Sequence, residues 1–237
     1  MTPAVILAAG AGRRLRPLTD DRPSALVPLG ESPMIGYALD ALLEAGIKHA
    51  IVVAGYRGDS LAAYLSRRLD FTVDVVENPH YLTTHTLASL AAVPHLVDDD
   101  FLLVDGRLVF EPAVVSRVMG PGTRVGVDFG RPLQAETMKA ATDGERIVEL
   151  GTRPRRSGAP TGAAIGMAKI DGATGERLFV VARHLLDAGA KHVPYETALN
   201  VLIEDGDVLE VADVTGIRWQ QVEAHLDLAR ARSVVLR

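Results

Sequence analysis

The segment "LAAGAGRRLRP" (residues 7–17) has the residue types of a phosphate-binding loop. Its glycines, Gly10 and Gly12, allow backbone N–H groups to approach and wrap around a phosphate, and the three arginines that follow add positive charge. No Gly-Lys-Ser/Thr triplet follows, so the segment is not a P-loop. The same residues also fit a tight strand-to-helix turn with solvated arginines, and a two-glycine turn alone does not separate these interpretations.

Short apolar runs and longer helical patterns alternate in the first half of the chain. We predict strands over residues 4–9, 49–55, 71–77 and 101–106, and helices over residues 33–47, 60–69 and 84–97. Continuous apolar strands alternating with helices are typical of a mostly parallel sheet covered on both faces. The sequence therefore predicts an α/β fold, a three-layer Rossmann-like arrangement whose ligands bind at the carboxyl ends of the strands.

Particular residues suggest where the helices begin and end. Gly46 is a suitable stop for the first helix, and Asp59 or Ser60 a suitable cap for the second. In the second half we predict strands over residues 123–129, 146–151 and 163–170, and helices over residues 175–189 and 225–235. Pro, Gly and Arg cluster at 153–162, which we interpret as a mobile loop. We expect a single domain over 1–237, with a nucleotide-binding half (1–120) and a substrate-facing half (121–237).

Composition restricts the classes of partner. The 237-residue chain carries a net charge of −5, which argues against a nucleic-acid or membrane-surface binder, since both need a basic surface. It has no cysteine, so disulfides, thiolate metal sites and a cysteine nucleophile are excluded, and a cytoplasmic location is expected. The apolar start "AVILAAGAG" is shorter than the roughly 20 residues that span a bilayer.

The longer stretch "LAAGAGRRLRPLTDDRPSALVPL" resembles the signature of the sugar-1-phosphate nucleotidyltransferases, L-A-A-G-x-G-T-R-L-x-P-L-T-x-x-x-P-K-x-L. Further segments are similar to the phosphocholine and related cytidylyltransferase branch: "ENPHYLTTHTLASL" (77–90), "FLLVDGRLVF" (101–110), "AETMKAATDGERIVELG" (135–151), "YETAL" (195–199) and "WQQVEAHLDLARA" (219–231). The resemblance covers nearly the whole chain and implies the nucleotidyltransferase type of α/β fold.

The resemblance also implies an activity and a set of site residues. Family members transfer a nucleoside monophosphate to a substrate phosphate and release pyrophosphate, with Mg²⁺ held by two Asp residues. The implied ligands are a nucleotide, CTP favoured, and a phospho-amino-alcohol, phosphonate or sugar 1-phosphate; a homo-oligomer is left open. The implied nucleotide-binding residues are Leu7, Ala8, Ala9, Gly10, Ala11, Gly12, Arg13, Glu77, Thr84 and Asp105. The implied substrate-binding residues are His85, Tyr195, Glu196 and Trp219, and the catalytic ones Arg14, Lys139 and Arg107.

The chain departs from the family pattern at positions that carry charge. Ser24 stands at the signature Lys, Arg107 at the metal Asp of D-G-D, and Glu223 at the second metal Asp. His85 stands at an Asn, and a Glu-Asp pair reads Glu196-Thr197. These departures predict that ordinary magnesium-dependent transfer is impaired.

Magnesium is an open expectation, because Glu223 has a carboxylate but Arg107 would repel a cation. We hypothesise that Arg107 occupies the magnesium position and either holds a ligand phosphate or pairs with Glu223. Lys139 is interpreted either as a phosphate contact or as a surface lysine.

The aromatic residues have two interpretations as well. Trp219, Tyr195 and the nearby carboxylate of Glu196 suit an ammonium group, but the two aromatics equally fit a core or an interface. Three functions stay open at this stage: a transferase with a rearranged site, an inactive ligand-binding protein, and a fold recruited to different phosphate chemistry.

Overall fold

A computed structural model describes residues 2–155 and 159–235. Part of the predicted mobile loop, residues 156–158, lies outside the described residues. The strands are β1 Ala4–Leu7, β2 His49–Ala54, β3 Thr72–Glu77, β4 Phe101–Asp105, β5 Leu108–Phe110, β6 Thr123–Asp128, β7 Lys139–Asp143, β8 Arg146–Gly151, β9 Thr161–Ile170, β10 Leu209–Asp213 and β11 Trp219–Gln221. The helices are α1 Met34–Glu44, α2 Gly58–Leu65, α3 Thr86–Leu90, α4 Pro112–Val118, α5 Gly172–Asp187, α6 Glu196–Glu204 and α7 His225–Val235.

One sheet runs through both halves of the chain in the order β3-β2-β1-β4-β9-β6-β10-β8-β7. Strands β3, β2, β1 and β4 are parallel, as predicted. The second half makes the sheet mixed, because β6 and β10 are parallel, whereas β9 lies antiparallel between β4 and β6, and β7 and β8 form an antiparallel hairpin. The connection between β7 and β8 is a short turn at Gly144, which joins antiparallel strands only. Strands β5 and β11 pair separately.

Both faces of the sheet are covered, which explains the continuous apolar strands. Alternate residues of β1 face opposite sides, so Ala4 and Ile6 pack with α1, α2 and α4, while Val5 and Leu7 pack with α3, α5 and α6. A third apolar cluster places α7 against β5 and the segment after the glycine loop. No helix within the described ranges is long and apolar enough to cross a membrane.

Several predicted boundaries change in the structure. The stop at Gly46 is confirmed: its φ is 89°, and the N–H groups of Gly46 and Ile47 donate to the carbonyls of Leu43 and Leu42. The predicted caps were wrong, because α2 begins at Gly58 after Arg57, and both Asp59 and Ser60 lie inside the helix.

Other elements were mispredicted or missed. The predicted helix over 84–97 is the five-residue α3 followed by a 3₁₀ turn, since Pro94 lacks the N–H that a longer helix needs. The elements that the sequence reading missed, all short or flanked by turns, are β5, β7, β10, β11, α4 and α6.

Candidate functional site

The glycine loop leaves β1 at the carboxyl edge of the sheet. Gly12 has φ 57°, and a Cβ added there would lie 2.7 Å from the Cβ of Ser24, so only glycine fits. The Thr19 hydroxyl donates to the Gly12 carbonyl at 3.0 Å. Gly10 differs, because an added Cβ would meet nothing within 4 Å. The loop is thus fixed at Gly12 by Ser24 and open at Gly10.

A cavity of about 160 Å³ lies over this loop, and we call it the glycine-loop cavity. It is lined by Leu7, Ala8, Ala9, Gly10, Gly12, Ser24, Asn78, Tyr81, Thr84, His85, Thr86, Ser89, Asp105 and Arg107. Leu7 and Asp105 are the last residues of β1 and β4, so the cavity lies at the carboxyl ends of parallel strands, where ligands bind in such sheets.

Asn78 shapes the far wall of this cavity. Its buried amide nitrogen donates to the hydroxyls of Thr84 (3.3 Å) and Ser89 (3.2 Å), and its carbonyl oxygen accepts the His80 N–H at 3.0 Å. These bonds join the end of β3 to the start of α3. Sequence reasoning placed the neighbouring Glu77 in the site instead, although an Asn directly after a strand end is a recognisable turn signal.

Arg107 is held beside the cavity by a fully engaged carboxylate. Asp105 accepts the backbone N–H of Arg107 at 2.8 Å, its Nε at 3.1 Å and its Nη2 at 2.9 Å. Gln221 adds a fourth bond from Nε2 at 2.9 Å. Burial opposes ionisation of Asp105, but the charge and hydrogen bonds of Arg107 outweigh it and lower the pKa of that carboxyl. The Asp105 charge in turn raises the pKa of Arg107.

Glu223 continues this ion-pair chain towards the surface. Its Oε1 lies 3.5 Å from Nη1 of Arg107, and its Oε2 pairs with Nη2 of Arg14. The chain Asp105–Arg107–Glu223–Arg14 therefore contains two carboxylates and two guanidiniums, and its net charge is zero.

The carboxylates of this chain do not suit a magnesium ion. Mg²⁺ needs oxygen ligands, but the oxygens of Asp105 and Glu223 face the guanidinium of Arg107. Within residues 2–155 and 159–235, no group of three or more His, Cys, Asp or Glu side chains is placed to hold a metal ion. The carboxylate oxygens of this chain are therefore arranged around an arginine and not around a metal ion.

A second cavity of about 770 Å³ adjoins the first, and we call it the outer cavity. It is lined by Arg14, His85, Thr86, Asp105, Arg107, Ala135, Glu136, Met138, Leu150, Gly151, Thr152, Arg153, Pro194, Tyr195, Glu196, Thr197, Gln221 and Glu223. Both cavities are lined by His85, Thr86, Asp105 and Arg107. The Asp105–Arg107 pair thus lies at the junction between them, and Glu223 and Arg14 continue the ion-pair chain along the outer cavity.

Titratable side chains line the outer cavity. Burial raises the pKa of Glu196 to about 7, with a further contribution from the negative charge of Asp105. Burial and the nearby Arg107 charge lower the pKa of His85. The Tyr195 phenol is buried beside Glu196, and that burial raises its pKa. At neutral pH the wall therefore has an acid close to its titration point.

The structure brings together most of the residues predicted from the sequence, but not all. Five of them, all in the described part of the chain, line neither cavity: Ala11, Arg13, Glu77, Lys139 and Trp219. The Lys139 ammonium donates to backbone carbonyls, including those of Gln134 (2.8 Å) and Thr152 (2.7 Å). The Trp219 indole donates to Asp128 at 2.9 Å and stacks under Arg131, with the guanidinium carbon 3.9 Å from the ring centroid.

The cavities also contain residues that sequence reasoning did not assign. These are chiefly Asn78, Thr86, Ser89 and Gln221. Thr86 accepts the Tyr195 N–H at 3.0 Å, which joins the glycine-loop side to the α6 side. No spacing rule identifies Thr86 and Gln221, because their partners Tyr195 and Asp105 lie 109 and 116 positions away.

Comparisons with known proteins agree with this architecture. The nucleotidyl transferase family profile matches residues 3–107. The 2-aminoethylphosphonate cytidylyltransferase of Lancefieldella rimae is 31% identical over 191 residues, covering 79% of this chain and 73% of that protein. The CMP-5'-(3-aminopropyl)phosphonate synthase of Streptomyces rubellomurinus is 27% identical over 235 residues, 93% of this chain but 36% of that protein, so this chain spans about a third of its length.

A solved structure supports the same assignment of fold. The inositol-1-phosphate CTP transferase from T. maritima superposes with a TM-score of 0.83 at 18% identity, over 100% of this chain and 98% of that one. The two chains share the fold from end to end.

Proposed function

Because the chain belongs to the nucleotidyl transferase family, we propose that it binds CTP in the glycine-loop cavity and a phosphorylated or phosphonate small molecule in the outer cavity, with magnesium-dependent transfer impaired. The observation that carries this proposal is the contact between the two cavities at Arg107. A nucleotide and a second substrate bound there would meet at the guanidinium of Arg107, a group that binds phosphate oxygens well. Its Nε and Nη2 are bound to Asp105, so Nη1 is the nitrogen that faces the ligands.

The outer cavity favours a ligand that bears an amine. Glu196 supplies a carboxylate near neutral pH, and Glu136 adds another at the rim. An ammonium group would pair with Glu196 while the ligand's phosphonate or phosphate faces Arg14 and Arg107. The names of the two relatives specify aminoalkylphosphonates and cytidylyl products, which supports both this substrate class and the choice of CTP.

Impaired transfer follows from the charges at the junction. Nucleotidyl transfer needs positive charge where the phosphoryl oxygens become more negative. Here the charge of Arg107 is already neutralised by Asp105, and Ser24, aligned with the signature lysine, is neutral. Losing one preorganised charge commonly costs about a hundredfold in rate. An inactive ligand-binding protein is the second candidate, favoured by the same ion-paired Asp105.

Calorimetric titration with CTP and with ATP, GTP and UTP, in magnesium and in EDTA, tests the binding proposal. We expect CTP to bind most tightly, with an affinity that changes less than about threefold between the two buffers, because the carboxylates are occupied by Arg107. Binding that requires magnesium would contradict the assigned role of Arg107. The absence of binding by any nucleotide would contradict the proposal as a whole.

The double variant Ser24→Lys/Arg107→Asp tests impaired transfer. It restores a cation beside the glycine loop and a second carboxylate at the junction. We expect pyrophosphate release from CTP and 2-aminoethylphosphonate to rise at least about tenfold over the unmodified protein. The control Arg218→Asp makes the same charge change as Arg107→Asp, but at a residue outside both cavities, and should raise nothing. No gain in the double variant would favour the inactive binding protein.

A further inference from the structure

One carboxylate at the cavity junction faces two guanidiniums. Glu223 pairs with Arg14 through Oε2 and approaches Nη1 of Arg107 through Oε1 at 3.5 Å. The remaining polar edge of Arg107, formed by Nε and Nη2, is bound to Asp105. The Glu223 carboxylate therefore lies between the two guanidiniums, hydrogen-bonded to Arg14 and within ion-pair distance of Arg107.

The two carboxylates of the chain are held very differently. The Asp105 side chain is 10% exposed and accepts four hydrogen bonds. The Glu223 side chain is 28% exposed, its partner Arg14 is 58% exposed, and its approach to Arg107 is longer than a hydrogen bond. Such partly solvated ion pairs contribute little stability. The Asp105 contact is therefore fixed, whereas breaking the Glu223 contacts costs little free energy.

The backbone of Glu223 stays in place without its side-chain contacts. One carboxylate oxygen of Asp227 accepts the N–H groups of Glu223 (3.0 Å) and Ala224 (2.9 Å) at the start of α7. Gln220 also approaches Asp227, at 3.4 Å. The Glu223 side chain can therefore rotate away from the guanidiniums while its turn remains hydrogen-bonded.

We propose that Glu223 is an internal counter-anion, occupying the position of a ligand's phosphate or phosphonate group between Arg14 and Arg107, and that the ligand displaces it on binding. This inference rests on the proposed function, since it assigns the group that the junction binds. A phosphate or phosphonate has more negative charge and more acceptor oxygens than a carboxylate, so it binds the two guanidiniums more strongly than the Glu223 side chain does. The site needs no metal, because arginine supplies the positive charge. Glu223 thus weakens ligand binding, the reverse of what a metal ligand would do.

Glu223→Gln distinguishes these roles by the sign of its effect. Calorimetric titration with inorganic phosphate and with methylphosphonate, in EDTA, should show about fivefold tighter binding by the variant, since the competing charge is gone. Arg14→Gln should weaken the same binding. The matched control is Glu111→Gln, which removes a carboxylate from a similarly exposed pair with Arg218 outside both cavities and should change nothing.

Unchanged or weaker phosphate binding by Glu223→Gln would overturn the inference, as would equal tightening by Glu111→Gln. Thermal melts of each variant show whether a loss of binding reflects unfolding. CTP titration of the unmodified protein separates this failure from failure of the proposed function. If CTP binds and Glu223→Gln does not tighten phosphate binding, only the counter-anion role is wrong. If neither CTP nor phosphate binds to any variant, both proposals are wrong.

Discussion

Replacing Arg107 by methionine should destabilise the fold in a pH-dependent way. The variant keeps most of the side-chain volume but removes the guanidinium that neutralises Asp105. Among the donors in the described part of the chain, the carboxylate then retains the backbone N–H of residue 107 and the Gln221 amide. A nearly buried negative charge is left without a cation, which is the costly way to break a buried ion pair.

The size of the effect follows from these contacts. Removing one partner of a buried pair typically costs about 3–5 kcal/mol, and the two surviving hydrogen bonds place this case near the lower end, about 3 kcal/mol at pH 7.5. Without the guanidinium, burial raises the pKa of Asp105 above its ordinary 3.8. An acid whose folded pKa exceeds its unfolded pKa destabilises the fold at high pH, and this penalty disappears as it becomes protonated. The deficit should therefore shrink as the pH falls from 7.5 towards 4.

Urea unfolding at several pH values measures this directly. The double variant Asp105→Asn/Arg107→Met removes the buried charge and should recover most of the loss at pH 7.5. The control Arg218→Met breaks the more exposed pair with Glu111 and should cost no more than about 1 kcal/mol. A deficit below about 1 kcal/mol in Arg107→Met, or one that does not change with pH, would refute the reasoning.

Three other substitutions test the walls of the site. Gly12→Ala should lower the free energy of unfolding by about 1–3 kcal/mol in urea titrations, because of its φ of 57° and the 2.7 Å approach to Ser24; Gly10→Ala is the control that should lose little stability. Asn78→Ala should cost about 2 kcal/mol in the same assay, since it leaves the buried Ser89 hydroxyl and the half-buried Thr84 hydroxyl without this donor; an unchanged midpoint would contradict this. Glu196 has a folded pKa of about 7 against an ordinary 4.5, so the unmodified protein should lose stability as the pH rises through this window, whereas Glu196→Gln should not. The variant should therefore be more stable at pH 8, by up to about 3 kcal/mol; parallel pH profiles of the two proteins would exclude that pKa.

Much of the first half could be predicted from the sequence because its signals are local. The alternation of apolar runs and helical patterns, the stop at Gly46 and the glycine loop each depend on neighbouring residues. The second half was harder, since its strands are short and pair across long distances. Nothing near residues 161–170 indicates that β9 lies antiparallel between β4 and β6, or that β11 pairs with β5.

The sequence by itself determined the residue types of the site. These are glycines at a strand end, an uncharged Ser24, and Arg107 and Glu223 at the two positions where the family pattern has Asp. Only the tertiary structure decided their partners. It joined Arg107 to Asp105 and Glu223, placed Lys139 under backbone carbonyls, and put Trp219 against Asp128 and Arg131. The physical reason is that a side chain's type fixes which interactions it can make, whereas distance and burial fix which it does make. Distance and burial depend in turn on contacts between residues as far apart in the sequence as Arg14 and Glu223.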